Sequence, residues 1–414
     1  MFNLERWEEI FETIRKNKLR TFLTGLSVAS GIFILVILLG FNSGISNGVR
    51  EAFEEDATNR ISIWTGVTSK EYKGLNPGRY VQLRNEDYQT LNQKYEDQIE
   101  YRTSLYSLWG GQVTYGKESG NYRIEGSDPD QQFIENESMV SGRFINKSDL
   151  DEVAKVAVIG NQIQMDLFKG EEAVGKQIKI FGINFLVVGV FTDPGGAREE
   201  NRVFIPITTA QGVFNAGDRI RSIAYTVKMS ENFDEAVALS TAMAEGLESD
   251  LKTKHSVAPD DRSAVRVFNT LEEEKKIYGL IDTIRAVFWF IGIGTIIAGV
   301  VGVSNIMLIV VKERTKEIGI RKAIGALPSS IIGMIMQEAI FITAIAGFIG
   351  LFAGVGLLEA VAPYAETDFI KSPQVDFNTS ITTVFVLIAA GALAGFFPAR
   401  RAANIKPIEA LRDE

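Results

Sequence analysis

Hydrophobic and polar positions are spread very unevenly along this chain. Four stretches are strongly apolar and almost free of charge: Thr21–Phe41, Ala286–Val311, Ile331–Val361 and Ile381–Phe397. Each is in the range of the ~17–25 residues that cross a bilayer as a helix, and Ile331–Val361 is long enough to tilt or extend beyond it. The long polar middle has a different rhythm. Arg60–Trp64, Val156–Gly160, Arg202–Ile207, Ile223–Met229 and Val265–Phe268 read as short strands. Gln177–Phe181 and Phe185–Phe191 read as a hairpin around Gly182-Ile183-Asn184. Asn161–Phe168 and Asn232–Leu251 read as helices, and Thr208 as the cap of a short one. Strands interleaved with helices predict a mixed α/β domain inserted between the first and second spans.

The flanks of the spans are also patterned. Leu4, Trp7, Phe11 and Ile14 form one face of a helix over 1–20, predicting a segment lying on membrane lipid. Ile45, Val49 and Phe53 continue a helical stripe beyond the first span. Thr270 and Glu273 have capping-box spacing, and a helix is predicted to run from Leu271 through the second span. Gly294, Ala298 and Gly302 lie four residues apart, as do Ala346, Gly350 and Gly354, and Gly391 and Gly395. Such ladders let helices approach closely. Glu338 is an acid two turns into the third span, and pairing with a basic residue near the cytoplasmic surface is its expected role.

Charge then orients the spans. Lys312, Arg314, Lys316, Arg321 and Lys322 outnumber Glu313 and Glu317 between the second and third spans, which marks a cytoplasmic loop. Arg15, Lys16, Lys18 and Arg20 precede the first span, and Arg400 and Arg401 follow the last. The chain as a whole carries −9. The expected division is 1–20 interfacial helix, 21–41 span, 42–285 extracytoplasmic domain with stalk helices, 286–311 span, 312–330 cytoplasmic loop, 331–361 span, 362–380 outer loop with Pro363, 381–397 span ended at Pro398, and 398–414 cytoplasmic tail. No basic surface is left for nucleic acid.

Candidate chemistry is sparse. The chain has no Cys and one His, His255, so thiol catalysis, disulfides and thiolate or His-rich metal sites are excluded. Gly170–Lys176, GEEAVGK, matches phosphate-loop spacing, but Gln177 replaces the Ser or Thr that holds magnesium, and a strand is predicted to follow. A turn is the expected structure there. No metal site and no catalytic residue are assigned.

Three stretches carry a family resemblance: RKNKLRTFLTGLSVASGIF near the N-terminus, ERTKEIGIRKAIGA followed by IIGMIMQEA, and the terminal PARRAANIKPIEALR. With the layout of one span, a large inserted domain and three spans, the chain resembles the MacB-like permeases of ABC transporters, which have an FtsX-like membrane domain. The resemblance implies an efflux permease in the bacterial inner membrane, with both termini cytoplasmic and the large domain periplasmic. It implies that Glu313, Arg314, Glu317, Gly319, Arg321, Lys322, Gly325 and Ala326 form or flank the surface that couples to a separate cytoplasmic ATPase dimer, with ATP and magnesium bound on that partner. A second permease chain, and an adaptor with an outer-membrane channel, are implied in the same way. A lipoprotein-releasing or cell-wall-hydrolase-activating permease fits the same residues. A ligand sensor and a membrane-anchored enzyme are the more distant alternatives.

Overall fold

In the computed structural model the described residues are 18–54, 58–230, 232–365, 367, 370–375 and 377–407. Residues 1–17 of the expected surface helix, and the tail beyond 407, lie outside them. Two compact units are formed. One gathers the residues up to Arg50 and from Tyr278 onward, and the other is Glu51–Ile277.

Helix α1 (Lys18–Glu54) holds the first span and the stripe after it without a break. At 1.5 Å per residue its length is ~55 Å, nearly twice the ~30 Å of a hydrocarbon core.

The inserted unit follows in chain order: β1 (Arg60–Thr65), β2 (Leu83–Arg84), α2 (Asn85–Lys94), β3 (Ile99–Tyr115), β4 (Glu118–Ser127), α3 (Gln131–Ile134), β5 (Ser138–Gly142), α4 (Lys147–Asp151), β6 (Val156–Gly160), α5 (Asn161–Phe168), β7 (Gln177–Ile180), β8 (Ile183–Thr192), β9 (Arg202–Pro206), α6 (Ile207–Val213), β10 (Arg219–Ile220), β11 (Ser222–Val227), α7 (Phe233–Lys254) and β12 (Val265–Asn269). The main sheet runs β12-β1-β11-β3-β4-β9-β6-β8-β5, with β7 paired to β3 and β8.

Two apolar cores divide this unit. Ile61, Ile63, Tyr225 and Val265 pack with Leu91, Leu247 and Leu251 of α2 and α7. Val113, Ile124, Phe185 and Val203 pack with Ile163, Leu167 and Ala210 of α5 and α6. Strand β3 serves both. Its first half pairs with β11 and its second half with β4 and β7, the register shifting between Leu108 and Gly111. An unpaired residue at such a shift bends a strand and raises its twist.

Several expectations need correction here. The hairpin turn is Phe181-Gly182, both at positive φ (48° and 83°), which fits the right-handed twist of the flanking strands. Thr208 does not cap α6; its hydroxyl donates to Leu150 O at 2.8 Å, and Ile207 is already helical. β11 ends at Val227, short of Met229.

Helix α8 (Thr270–Glu313) runs without a break from the inserted unit through the second span, as expected, and it already includes Thr270, the residue expected to cap it. Short α9 (Thr315–Ala323) follows, then α10 (Pro328–Ala365) and α11 (Phe377–Ala403). Pro363 lies inside α10 rather than in the outer loop, and Pro398 lies inside α11 rather than ending it. Helix packing and local adjustment accommodate a missing backbone donor in such helices. Val28, Ile32, Leu35 and Val36 of α1 form the centre of this unit's core, with Val303, Ile335, Ala339, Leu387 and Ala394 around them.

Candidate functional site

The basic segment between α8 and α10 folds as a helix with a defined end. Gly325 sits at φ 105°, the left-handed conformation glycine adopts most readily. Ala326 N donates to Arg321 O at 2.9 Å and Gly325 N to Lys322 O at 3.1 Å, which is the paired closure of a Schellman motif. Gly325 therefore stops α9 and turns the chain toward Pro328. Gly319 and Gly325, both expected to form or flank the coupling surface, differ: Gly319 is buried and Gly325 is a helix stop.

Most of the charges expected to meet a partner turn inward. Arg314 reaches Glu338 of α10 at 3.3 Å, and Glu338 is buried. Arg314 is also 3.8 Å from Glu317, and Arg321 donates to Glu317 at 2.9 Å. Glu338, Arg314, Glu317 and Arg321 thus form one chain of alternating charge. A buried carboxylate is stable only with such a partner. Arg321 further contacts the Met334 sulfur at 3.1 Å. Lys322 Nζ donates to Ala403 O at 2.6 Å and Ile405 O at 2.7 Å, where the last carbonyls of α11 lack helical donors. This fixes the segment to the end of the last helix.

Toward its C-terminal end the segment exposes apolar side chains. Ile320 is 43% exposed, Ile324 82% and Leu327 68%, with exposed Ala323 between them. Ile320 and Ile324, four residues apart, share one side of the helical turn, and Leu327 follows beyond the turn at Gly325. Lys316, Glu313 and Glu317 are exposed beside it. These residues are absent from the sequence-based site; Ile320 and Ile324 at helical spacing in a charged loop are the signal that marks them.

The small-residue ladders divide. A Cβ at Gly350 would strike the Ala29 carbonyl, and one at Gly354 would meet Val36 Cγ1 at 2.7 Å. Ala346 lies beside Gly25, so α10 packs tightly on α1. Gly391 abuts Thr343, and Gly395 faces Ala339 at 2.8 Å. The α8 ladder is different. Gly294 and Ala298 are exposed, nothing lies within 4 Å of a Cβ at Gly294, and only Ser27 Oγ approaches Gly302, at 3.7 Å. The face of α8 that packs on α1 is the adjacent one, with Gly292 against Leu35 and Gly299 against Val28.

Two further features lie in the inserted unit. Gly170–Lys176 runs straight into β7, so no helix opens there to hold a phosphate. Lys176 pairs with Glu171 at 2.9 Å and lies 5.5 Å over the Phe168 ring. Arg202 of β9 is surrounded by acids: it pairs with Glu135, with Asp193 at 2.7 Å and with Glu199 at 3.4 Å, and stands 3.9 Å from Glu137. Glu135, Glu137 and Asp193 are close enough together to ligate a cation. The guanidinium already supplies the positive charge at that position, so the donor set does not fit a metal. Burial, reinforced by the neighbouring Glu135 charge, pushes the Glu137 carboxyl well above the ordinary range, against the opposing pull of Arg202. His255 lies 3.2 Å from Asp87. Burial works against the Asp87 charge, but the neighbouring His255 and Lys254 side chains and the Arg84 backbone N–H, which donates to it at 2.8 Å, outweigh that and lower its pKa to about 2.

Fold and segment together define a multi-pass membrane protein with four apolar helices among the described residues and a β-rich domain inserted between the first and second. A model of the MacB-like periplasmic core domain matches residues 21–242, and one of the FtsX-like permease C-terminal domain matches residues 289–407. The chain belongs to the MacB-like ABC transporter permease family. The macrolide export ATP-binding/permease protein MacB of Chlorobaculum tepidum is 28% identical over 412 residues, covering 98% of this chain and 61% of that protein. An uncharacterized ABC transporter permease of Methanocaldococcus jannaschii is 25% identical over 413 residues, covering 98% and 96% respectively. The chain thus spans about three-fifths of the MacB relatives and nearly all of the archaeal one. The solved periplasmic region of MacB from Actinobacillus actinomycetemcomitans aligns with a TM-score of 0.44 at 21% identity, over 56% of this chain and 97% of that one.

Proposed function

We propose that this chain is the membrane subunit of an ATP-driven exporter, moved by a separate ATPase that binds ATP and magnesium and docks on α9. The chain lies in the inner membrane with both termini cytoplasmic and the inserted domain periplasmic, and works as a pair of identical chains. The observation that carries this reading is the two-sidedness of α9. Arg314, Arg321 and Lys322 fasten it to α10 and α11, while Ile320, Ile324 and Leu327 stand exposed. A helix tied to the membrane helices on one side and apolar on the other can pass on a push without bending away from it. Burying what these three side chains leave exposed, most of all Ile324, would contribute up to ~1.5–3 kcal/mol for the most exposed of them and less for Ile320. Efflux is the proposed task, by analogy with the macrolide export for which the MacB relatives are named.

The test is purification of the tagged chain from native membranes. The wild type is expected to bring down a second polypeptide and ATP turnover. Ile320→Glu with Ile324→Glu is expected to lose both while keeping its unfolding temperature. Retention of the partner and its turnover by that double variant would refute the assignment.

A further inference from the structure

The register across the inserted sheet assembles a second, polar face. Ile61 and Ile63 enter the core, so Arg60, Ser62 and Trp64 fall on the opposite side of β1. Ser62 pairs with Ala224 and Trp64 with Ser222 of β11. Ser222 pairs in turn with Leu105 of β3, and Ser107 pairs with Glu125 of β4. Directly paired residues share a face, as do residues two apart on one strand, so Arg123 joins them. Together they border a cleft of about 460 Å3, flanked by α3 and Arg221. That volume is within the ~300–1,000 Å3 of small-molecule sites.

Charge is layered in this cleft. The guanidiniums of Arg60, Arg123 and Arg221 line it, with the carboxylates of Glu125 and Glu135. The carboxylates lie deep, their side chains 4% and 13% exposed. Each is already held by a guanidinium: Glu125 by Arg123 at 2.8 Å, and Glu135 by Arg202, which is outside the lining. By contrast the Arg123 side chain is 55% exposed, and Arg221 is exposed too. A solute entering the cleft therefore meets positive charge first. Arg123 gives only its Nε to Glu125, and neither of its terminal nitrogens has a partner among the described residues. The end of a guanidinium, with two parallel N–H groups, matches the two oxygens of a carboxylate. The remaining wall is apolar. Trp64 is 39% exposed, and Leu105 and Leu108 are half-buried. An indole face favours an aromatic partner.

We infer that this cleft binds a small organic anion, a carboxylate carried on an aromatic ring. The carboxylate would accept from the terminal nitrogens of Arg123, with Arg60 and Arg221 adding positive charge along the same walls. The ring would lie against Trp64 and Leu105. The inference does not depend on how the membrane unit is driven.

The experiment titrates the full chain in nanodiscs with benzoate, phenylacetate and indole-3-acetate, with their uncharged amides, and with acetate. Calorimetry and saturation-transfer NMR read binding, and empty nanodiscs subtract partition into lipid. At least one aryl carboxylate is expected to bind saturably, with Kd on the order of 1 mM or tighter. Its amide is expected to bind at least about tenfold more weakly, because the charge-assisted bonds are lost. Arg123→Gln alone would leave the Glu125 carboxylate buried without its partner, so it is combined with Glu125→Gln. That double variant is expected to weaken binding about tenfold. Trp64→Ala removes an exposed side chain, so it reports on the site even if the double variant misfolds; it is expected to weaken binding about fivefold. No saturation by any of the aryl acids, equal binding of acid and amide, acetate binding as tightly as the aryl acids, or unchanged affinity in a folded Trp64→Ala would each overturn the inference.

Discussion

Helices α10 and α8 both carry small residues at four-residue spacing, and they use them differently. Ala346, Gly350 and Gly354 of α10 lie against α1 so closely that a Cβ at Gly350 would meet the Ala29 carbonyl. Gly294 and Ala298 of α8 stand exposed. The spacing is equivalent; the surroundings are not. The segment joining the two helices repeats the lesson with charge. Arg314 is drawn to buried Glu338, whereas Lys316, two residues on, is exposed. The inserted unit repeats it with acids. Asp87 and Glu137 are both buried, but Asp87 accepts from the Arg84 backbone and has Lys254 and His255 beside it, whereas Glu137 accepts no hydrogen bond. A residue's type and spacing give its capacity, and the facing element decides whether that capacity holds the fold.

Each contrast can be sharpened by paired substitutions. Arg314→Leu leaves the Glu338 carboxylate buried without its guanidinium and is expected to cost about 3–5 kcal/mol, whereas Lys316→Leu is expected to fall within about 0.5 kcal/mol. Thermal unfolding in nanodiscs measures both, and equal effects would break the inward-outward distinction. Gly350→Leu forces side-chain atoms into the Ala29 backbone and is expected to cost up to about 3 kcal/mol, while Gly294→Leu is expected to leave the unfolding temperature of the single chain unchanged. Asp87→Asn is expected to remove about 2 kcal/mol at neutral pH. Its folded pKa is depressed to about 2, so this stability is present above the ordinary carboxylate pKa and lost as pH falls through about 2. The acid limb of a stability-pH profile would flatten in the variant. Glu137 has the opposite sign. Its folded pKa is raised, so the stability of its protonated form is present at low pH and lost as pH rises through the raised value. Glu137→Gln is expected to keep the neutral state and raise the unfolding temperature above neutral pH, by roughly 2–4 °C per kcal/mol gained. A drop there would mean the carboxylate is needed ionised.

Much of this architecture was legible from pattern alone. The spans, the unbroken α8, β6 and α5 follow directly from hydropathy and helix signals, because one-sided or continuous burial leaves a period in the sequence. Strands β3 and β4 do not. Gly110 and Gly111 interrupt β3 at its register shift, and β4 opens on exposed Glu118 and Ser119, so neither shows a clean alternation. Pro363 and Pro398 suggested helix ends that packing overrode. At the candidate site, the charged residues of α9 were visible and their direction was not. Side chains of Arg and Lys reach several ångströms, so whether Arg321 and Lys322 turn to Met334 and Ala403 or outward depends on elements distant in sequence. Exposed Ile320, Ile324 and Leu327 leave little signal in the sequence, because charge dominates the local composition.

The account rests on α9 being held by its polar side and driven by its apolar one. Partner-dependent ATP turnover of the reconstituted permease and ATPase, measured for Ile324→Glu, tests this most directly. The account predicts that turnover falls to the level of the ATPase alone while the variant unfolds at the wild-type temperature. Wild-type turnover in that variant would contradict it.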